Sequence, residues 1–207
     1  SMSSIASDNI KKAQIGRNFS DKRDLGVKAI GRWSWIDYYL GVFNGTGQNN
    51  IDDTRGEMDV ASWFMLKPFN KHPEWGTLEL GYGYDFATDE NNVDHDTWGT
   101  YAGYKYKRFK LSGEYAKKNG YGSVHDAKAY GYYIRAAYDL TKKHQLIATY
   151  DVFDPNTGVH NNNIYEYTLG GRYRLLDNII LKYNWVHIVN KATKGSDRFT
   201  VLSQYCF

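Results

Sequence analysis

The feature that most constrains the fold of this chain is a period of two in its hydropathy, which runs through nearly the whole sequence. In residues 77–86, TLELGYGYDF, Leu78 and Leu80 alternate with Glu79 and Gly81. Successive side chains of a β-strand point to opposite faces, so this alternation is typical of strands with one apolar face. The pattern predicts eleven strands, with 57–68 alternating least regularly, at approximately 24–34, 36–45, 57–68, 77–87, 97–107, 109–119, 128–140, 143–153, 162–174, 178–188 and 196–207.

Three further features decide between a soluble all-β fold and a β-barrel that spans a membrane. The chain holds 19 Tyr and 6 Trp, which suit the girdles at the two membrane–water boundaries. Long polar connections alternate with very short ones, as they do between the two rims of a membrane barrel. The last residues, FTVLSQYCF, resemble the C-terminal strand by which outer-membrane barrels are recognised by their assembly machinery. We therefore expect an all-β, antiparallel transmembrane β-barrel, with a soluble sandwich as the alternative.

The composition excludes several other classes of protein. No run approaches the roughly 18 apolar residues of a membrane-spanning helix. The balance of 26 basic against 23 acidic residues is too even for a typical nucleic-acid-binding protein. A single cysteine, Cys206, is predicted to be structural, and it excludes a disulfide framework and a cysteine-built metal site. No cofactor is implied.

The number of strands bears on how much of a barrel the chain contains. If the C-terminus is periplasmic, the first predicted strand runs inward, whereas single-chain bacterial barrels have an even number of strands and periplasmic termini. Either residues 5–19 add a twelfth strand, or the chain is the C-terminal part of a larger barrel, which is the interpretation that we favour. We accordingly divide the chain into residues 1–23, an arm or an additional strand, and residues 24–207, the barrel strands.

Residues 23–84 resemble the phosphate-selective porin O and P family. The resemblance is carried by RDLGV at 23–27, YYLGVFNGTGQNN at 38–50 and MLKPF at 65–69, together with the acidic pair after the second motif. The resemblance implies a barrel of about sixteen strands, usually trimeric, with a constricted basic lumen that passes anions. The missing N-terminal strands and inward-folded loop would carry much of that constriction, so the family's phosphate-coordinating residues are not transferred to this chain.

The polar face of the strands is the predicted pore wall. Rings of Lys and Arg in a pore favour anions. This face is predicted to carry ten cations, including Lys107, and eight carboxylates, including Asp24, so the surplus of cations is mild. The predicted anion wall consists of Lys28, Arg32, Lys105, Lys110, Arg135, Arg172, Arg174, Lys182 and Arg198. The alternative is that Arg–carboxylate pairs on neighbouring strands simply neutralise one another.

A catalytic role has little support in the sequence. Asp94, His95 and Asp96 are predicted on an outer loop, with a faint likeness to the Asp/His arrangement of omptin proteases, but a solvated turn is the commoner explanation of such a stretch. No HExxH, GxSxG or GK[ST] motif is present. Gly45, Thr46 and Gly47 precede no helix, so they lack the setting of a phosphate-binding loop.

These observations predict an outer-membrane porin of Gram-negative bacteria that passes small solutes by passive diffusion, with a preference for anions of the phosphate type. The expected partners are outer-membrane lipid and lipopolysaccharide, small anionic solutes, the barrel assembly machinery through the C-terminal strand ending at Phe207, and further copies of the chain in a homotrimer. No nucleic acid is expected. A barrel with a structural or interaction role, or less plausibly a surface hydrolase, is the alternative.

Overall fold

The protein is described by a computed structural model that covers residues 12–19, 25–45, 58–89, 91–190 and 195–205. The fold is all-β, as predicted, and the strands are β1 (Gly26–Arg32), β2 (Ile36–Phe43), β3 (Asp59–Leu66), β4 (Thr77–Thr88), β5 (Asp94–Tyr106), β6 (Phe109–Asn119), β7 (Lys128–Asp139), β8 (His144–Asp154), β9 (Ile164–Leu176), β10 (Ile179–Asn190) and β11 (Ser196–Tyr205). One short α-helix, α1 (Gln14–Asn18), precedes them, and a 3₁₀ turn at Pro73–Trp75 separates β3 from β4.

The eleven strands form one antiparallel sheet in sequence order, so each strand pairs with its neighbours along the chain. β1 and β11 are the edges of this sheet, and no pairing between them occurs among the residues that the structure describes. Such a meander is what short hairpin connections produce, because antiparallel strands can be joined directly at one end.

The two faces of the sheet differ as the alternation predicts. On β7, Tyr133 and Arg135 are buried, whereas Ile134 and Tyr138 are about half exposed. The register carries this alternation from strand to strand across the sheet. We call the face that carries Tyr133 the inner face and the face that carries Ile134 the outer face. Apolar residues outside and polar residues inside are the arrangement of a membrane barrel.

Connections of different length leave the two ends of the sheet. The strands meet in short turns at one end, for example 107–108 between β5 and β6, and 177–178 between β9 and β10. The connections at the other end are longer, for example 120–127 and 155–163. We call these ends the short-turn rim and the long-loop rim. No helix in the described part of the chain has the length and apolar character needed to cross a membrane.

Three expectations need correction, and others concern positions outside the described residues. β5 begins at Asp94, three residues before the predicted strand start. Residues 14–18 form the helix α1 and not part of a twelfth strand. Lys107 is in the turn after β5, with a positive φ of 51°, and its ammonium lies 5.0 Å from the centre of the Tyr106 ring. Some predicted positions lie outside the described residues: Asp24, Thr46, Gly47, Cys206 and Phe207.

Candidate functional site

All nine side chains of the predicted anion wall occupy positions of the inner face. The strand register connects each of these positions to the face that carries Tyr133, from β1 at one edge of the sheet to β11 at the other. Their heights differ, because Arg135 and Arg198 lie in one row across β7–β11, whereas Arg172 and Lys182 lie nearer the short-turn rim. The structure therefore places these cations on one surface but at different positions along the strands.

The cations nearest the short-turn rim occur as cross-strand pairs. Arg172 on β9 is directly opposite Lys182 on β10, and Lys105 on β5 is directly opposite Lys110 on β6. Directly opposite side chains on one face have Cβ atoms about 4.5–5.5 Å apart, and like charges at that distance destabilise a dry sheet. The pairing of like charges is therefore consistent with an inner face in contact with water.

An acidic row crosses the inner face, from the middle of β6 to the part of β9 nearest the long-loop rim. Glu114, Asp151 and Glu166 lie in one row, with Tyr133 between the first two, and all four are buried. Arg135 is the next residue after Tyr133 on the same face of β7, and its guanidinium lies 5.1 Å from the centre of the Tyr133 ring. Burying carboxylates is costly unless cations and hydrogen-bond donors surround them. The row therefore requires compensation from elsewhere in the molecule.

That compensation comes partly from the N-terminal segment 12–19, which lies against the inner face at β7 and β8. The backbone N–H of Gln14 donates a hydrogen bond to Asp151 Oδ2 at 2.7 Å, and its side-chain amide donates to the Ile164 carbonyl at 3.2 Å. Arg17 Nη2 donates to Glu166 Oε2 at 2.8 Å. Charge-assisted hydrogen bonds of this kind are among the stronger polar contacts in proteins.

Apolar contacts fix the same segment. Ile15 is only 2% exposed and packs beside Gly131, where a Cβ atom would lie 2.5 Å from the Ile15 Cγ2 atom. Phe19 makes edge-on ring contacts with Tyr121 and Phe153, with centroids 5.9 and 5.6 Å apart. A cavity of about 20 Å³ beside the segment is lined by its own residues and by the wall of β7–β10. The segment is therefore held against the inner face by Ile15, which packs beside Gly131, and by the ring contacts of Phe19. We call the space beside Gly131 that Ile15 fills the glycine notch.

The sequence did not identify Gln14 and Arg17 as part of the site. Their acceptors are 137 and 149 residues away in the chain, and α1 has only five residues. So short a helix cannot display the repeating apolar pattern by which helices are recognised. The one indication in the sequence that this segment lies apart from the strands was the prediction that residues 1–23 form an arm or an additional strand.

The Asp94–His95–Asp96 stretch is not on an outer loop, as was expected, but begins β5. Its side chains diverge, since Asp94 accepts a hydrogen bond from the Thr88 hydroxyl and Asp96 accepts one from Asn119. His95 is buried, and its Nε2 donates to Asp89 Oδ2 at 3.0 Å. This divergence is unlike a catalytic Asp/His arrangement. Within the described ranges, no group of three or more His, Cys, Asp or Glu residues has the geometry to hold a metal ion.

Asp89 organises the loop between β4 and β5. Burial by itself raises the pKa of its carboxyl group, but hydrogen bonds from Ser123, the Val93 N–H, His95 and the Asn91 N–H outweigh that effect and hold the pKa well below its usual value. The Asn91 and Val93 bonds to Asp89 Oδ1 measure 2.9 and 3.0 Å. The Asp89 carboxylate therefore has a structural role at the long-loop rim.

Comparison with known proteins gives one family. The model of a family described as Gram-negative porin matches residues 69–192, which is more than half of the 207 residues of the chain. No curated protein matches the chain significantly.

Proposed function

We propose that this chain, which belongs to the Gram-negative porin family and whose place is the bacterial outer membrane, forms a channel that prefers small anions of the phosphate type. The family supports an outer-membrane porin and suggests a channel without catalytic activity. Which solutes pass is the part that we propose. The finer relationship, to the phosphate-selective porin O and P family, belongs to the proposal and rests on the resemblance of residues 23–84.

The observation that carries the proposal is the pairing of Arg172 with Lys182, and of Lys105 with Lys110, on the inner face near the short-turn rim. Four cations in two pairs raise the local concentration of anions at this end of the lumen. A phosphate group accepts hydrogen bonds from guanidinium and ammonium donors, and a guanidinium can bind it with two parallel bonds.

The row of Glu114, Asp151 and Glu166 on the inner face only partly opposes this preference. Glu166 is paired with Arg17, the Asp151 carboxylate accepts a backbone N–H, and Arg135 lies beside the row. Compensated carboxylates contribute less negative potential to the lumen than free ones. Lys105 is exposed and Arg172, Lys182 and Lys110 are partly buried. Because these cations lie nearer the rim, we expect them to have the larger influence on an ion that enters there.

The decisive experiment is the reversal potential of the protein in a planar bilayer under a KCl gradient. The unmodified protein should pass chloride more readily than potassium, and the double variant Arg172→Gln/Lys182→Gln should lose at least half of that preference. The matched control is Lys71→Gln/Lys107→Gln, which removes two cations from turns and leaves the inner face of the strands unchanged.

Two results would contradict the proposal. Cation preference in the unmodified protein would contradict anion selectivity, and equal shifts in both double variants would show that the paired cations have no special role. Absence of stepwise current would instead favour the structural or interaction alternative.

A further inference from the structure

The outer face carries an apolar groove of about 590 Å³ across β6–β11. Its volume falls within the range of about 300–1,000 Å³ that is usual for small-molecule sites. Its lining is formed by outward-facing residues and the backbone beneath them, including Phe109, Tyr138, Leu146, Leu169, Trp185 and Phe199. All six are exposed on the outer face.

The groove exists because small residues lie among large ones. Ala136 on β7 is directly opposite Ala148 on β8, and Ala148 is directly opposite Leu169 on β9. The two alanines form a low floor, whereas Trp185 and Phe199, which are paired across β10 and β11, form one raised side. An outer face covered evenly with large side chains would have no such depression.

Exposed cations lie at the end of the groove that faces the short-turn rim. Arg108 is the residue immediately before the groove residue Phe109, and Lys142 and Lys143 form the turn three residues before the groove residue Leu146. At about 3.3 Å per residue along a strand, Lys143 is within roughly 10 Å of Leu146. The side chains of all three cations are exposed.

Backbone hydrogen bonds hold both turns in place. The Asp139 N–H donates to the Arg108 carbonyl at 2.9 Å, and the Arg174 N–H donates to the Lys143 carbonyl at 2.8 Å. Each bond ties a turn to the end of an adjacent strand. The backbone at Arg108 and Lys143 is therefore held in place, so binding a ligand has to order only the side chains and costs less entropy than ordering a mobile loop.

We propose that this groove and these turns form a binding site for a phospholipid with a net negative headgroup, such as phosphatidylglycerol. One acyl chain occupies the groove between the alanine floor and the Trp185–Phe199 side. The phosphodiester lies at the short-turn rim, within reach of Arg108, Lys142 and Lys143. The three cations favour a lipid with a negative headgroup over a zwitterionic one. The apolar groove binds an acyl chain, so the site favours a phospholipid over free inorganic phosphate.

The arrangement of the aromatic side chains agrees with this placement. Tyr138, on the groove wall, is directly opposite Phe109. The Tyr183 hydroxyl is 2.7 Å from His144 Nε2, next to the Lys142–Lys143 turn. Tyr side chains with an apolar ring and a polar tip mark the level of the headgroups in a bilayer. The level of the rings therefore matches the level at which a phosphodiester would lie.

Native mass spectrometry of the full chain in detergent, with phosphatidylglycerol and phosphatidylethanolamine of identical acyl chains, tests the proposal. The unmodified protein should bind phosphatidylglycerol more tightly. The variant Arg108→Gln/Lys143→Gln should weaken that binding by about 25-fold, since each cation near a lipid surface contributes about fivefold. The control Lys71→Gln/Lys128→Gln removes two exposed cations that do not adjoin the groove.

A second variant tests the groove independently of the charges. Ala148→Trp fills the floor and should weaken the binding of both lipids, while the barrel remains folded as judged by its circular dichroism. Equal affinity for phosphatidylglycerol in the charge variant and its control would overturn the proposal. So would a change of oligomeric state in Ala148→Trp with lipid binding intact, because the groove would then be a contact between copies of the chain. Channel conductance is a separate readout, so failure here leaves the proposed pore function untouched.

Discussion

The seating of the N-terminal segment on the pore wall leads to a quantitative prediction about one ion pair. Arg17 and Glu166 are 2.8 Å apart, with side chains 25% and 9% exposed. Exposed pairs contribute about 0–1 kcal/mol, and hydrogen bonds to charged groups about 1.5–3 kcal/mol. After discounting for the exposed part of the arginine, we expect a coupling free energy of about 1–2 kcal/mol.

The variants Arg17→Met and Glu166→Gln, alone and combined, form the double-mutant cycle that isolates this coupling. The readout is hydrogen exchange at the amides of residues 14–19, where the Arg17 N–H donates to the Ala13 carbonyl and the Phe19 N–H to the Ile15 carbonyl. At about 1.4 kcal/mol per factor of ten, each single variant should speed exchange about 5–30-fold. The double variant should add little beyond either one.

The control cycle combines Arg17→Met with Glu114→Gln. The Glu114 carboxylate interacts with Tyr133 and Arg135, so its coupling to Arg17 should stay below about 0.5 kcal/mol. Single-channel conductance supplies a second measurement, since a displaced segment leaves a wider lumen. Additive effects of Arg17→Met and Glu166→Gln on exchange would refute the claim that this ion pair holds the segment to the wall.

Two further predictions concern the glycine notch and the β4–β5 loop. Gly131→Val places a Cβ about where Ile15 packs, so exchange at residues 14–19 and single-channel conductance should both rise; unchanged exchange would show that the notch is not needed. Asp89 has a lowered pKa in the folded protein, so its stabilising effect is present above the unfolded value of about 4 and is lost as the pH falls through the lower folded value. Protection of the Asn91 and Val93 amides should therefore decline in strong acid, and Asp89→Asn should abolish that pH dependence without altering protection in β9.

The strands were predictable because a barrel wall has two different environments. Alternation reports which side chains face apolar surroundings, and it located all eleven strands. The largest error at a strand start is instructive. DENNVDHD resembles a loop, yet β5 already begins at Asp94. A strand that continues past the apolar layer needs no apolar residues on its outer face, so the signal stops before the hydrogen-bonded ladder does.

The face on which each predicted wall residue lies could also be predicted from the sequence, because successive side chains of a strand point to opposite faces. The partners of these residues were not. Arg17 and Glu166 are 149 residues apart, and nothing local in either stretch marks the contact. Lys107 shows the opposite failure: alternation extended one residue past the end of β5 placed it on the wall, whereas the backbone there has already turned. Alternation alone therefore does not fix the last residue of a strand.

Charge position, more than charge number, decides what the inner face does to an ion. The sequence predicts ten cations against eight carboxylates on this face, or nine against eight once Lys107 is placed in the turn after β5, but the two signs are not mixed evenly. The buried acids Glu114, Asp151 and Glu166 share one row, and Arg17 and Arg135 lie beside it. The like-charged cation pairs lie nearer the short-turn rim. An ion that enters from that rim meets the cation pairs before it reaches the acidic row, which supports the proposed anion preference despite the near balance of charges on this face.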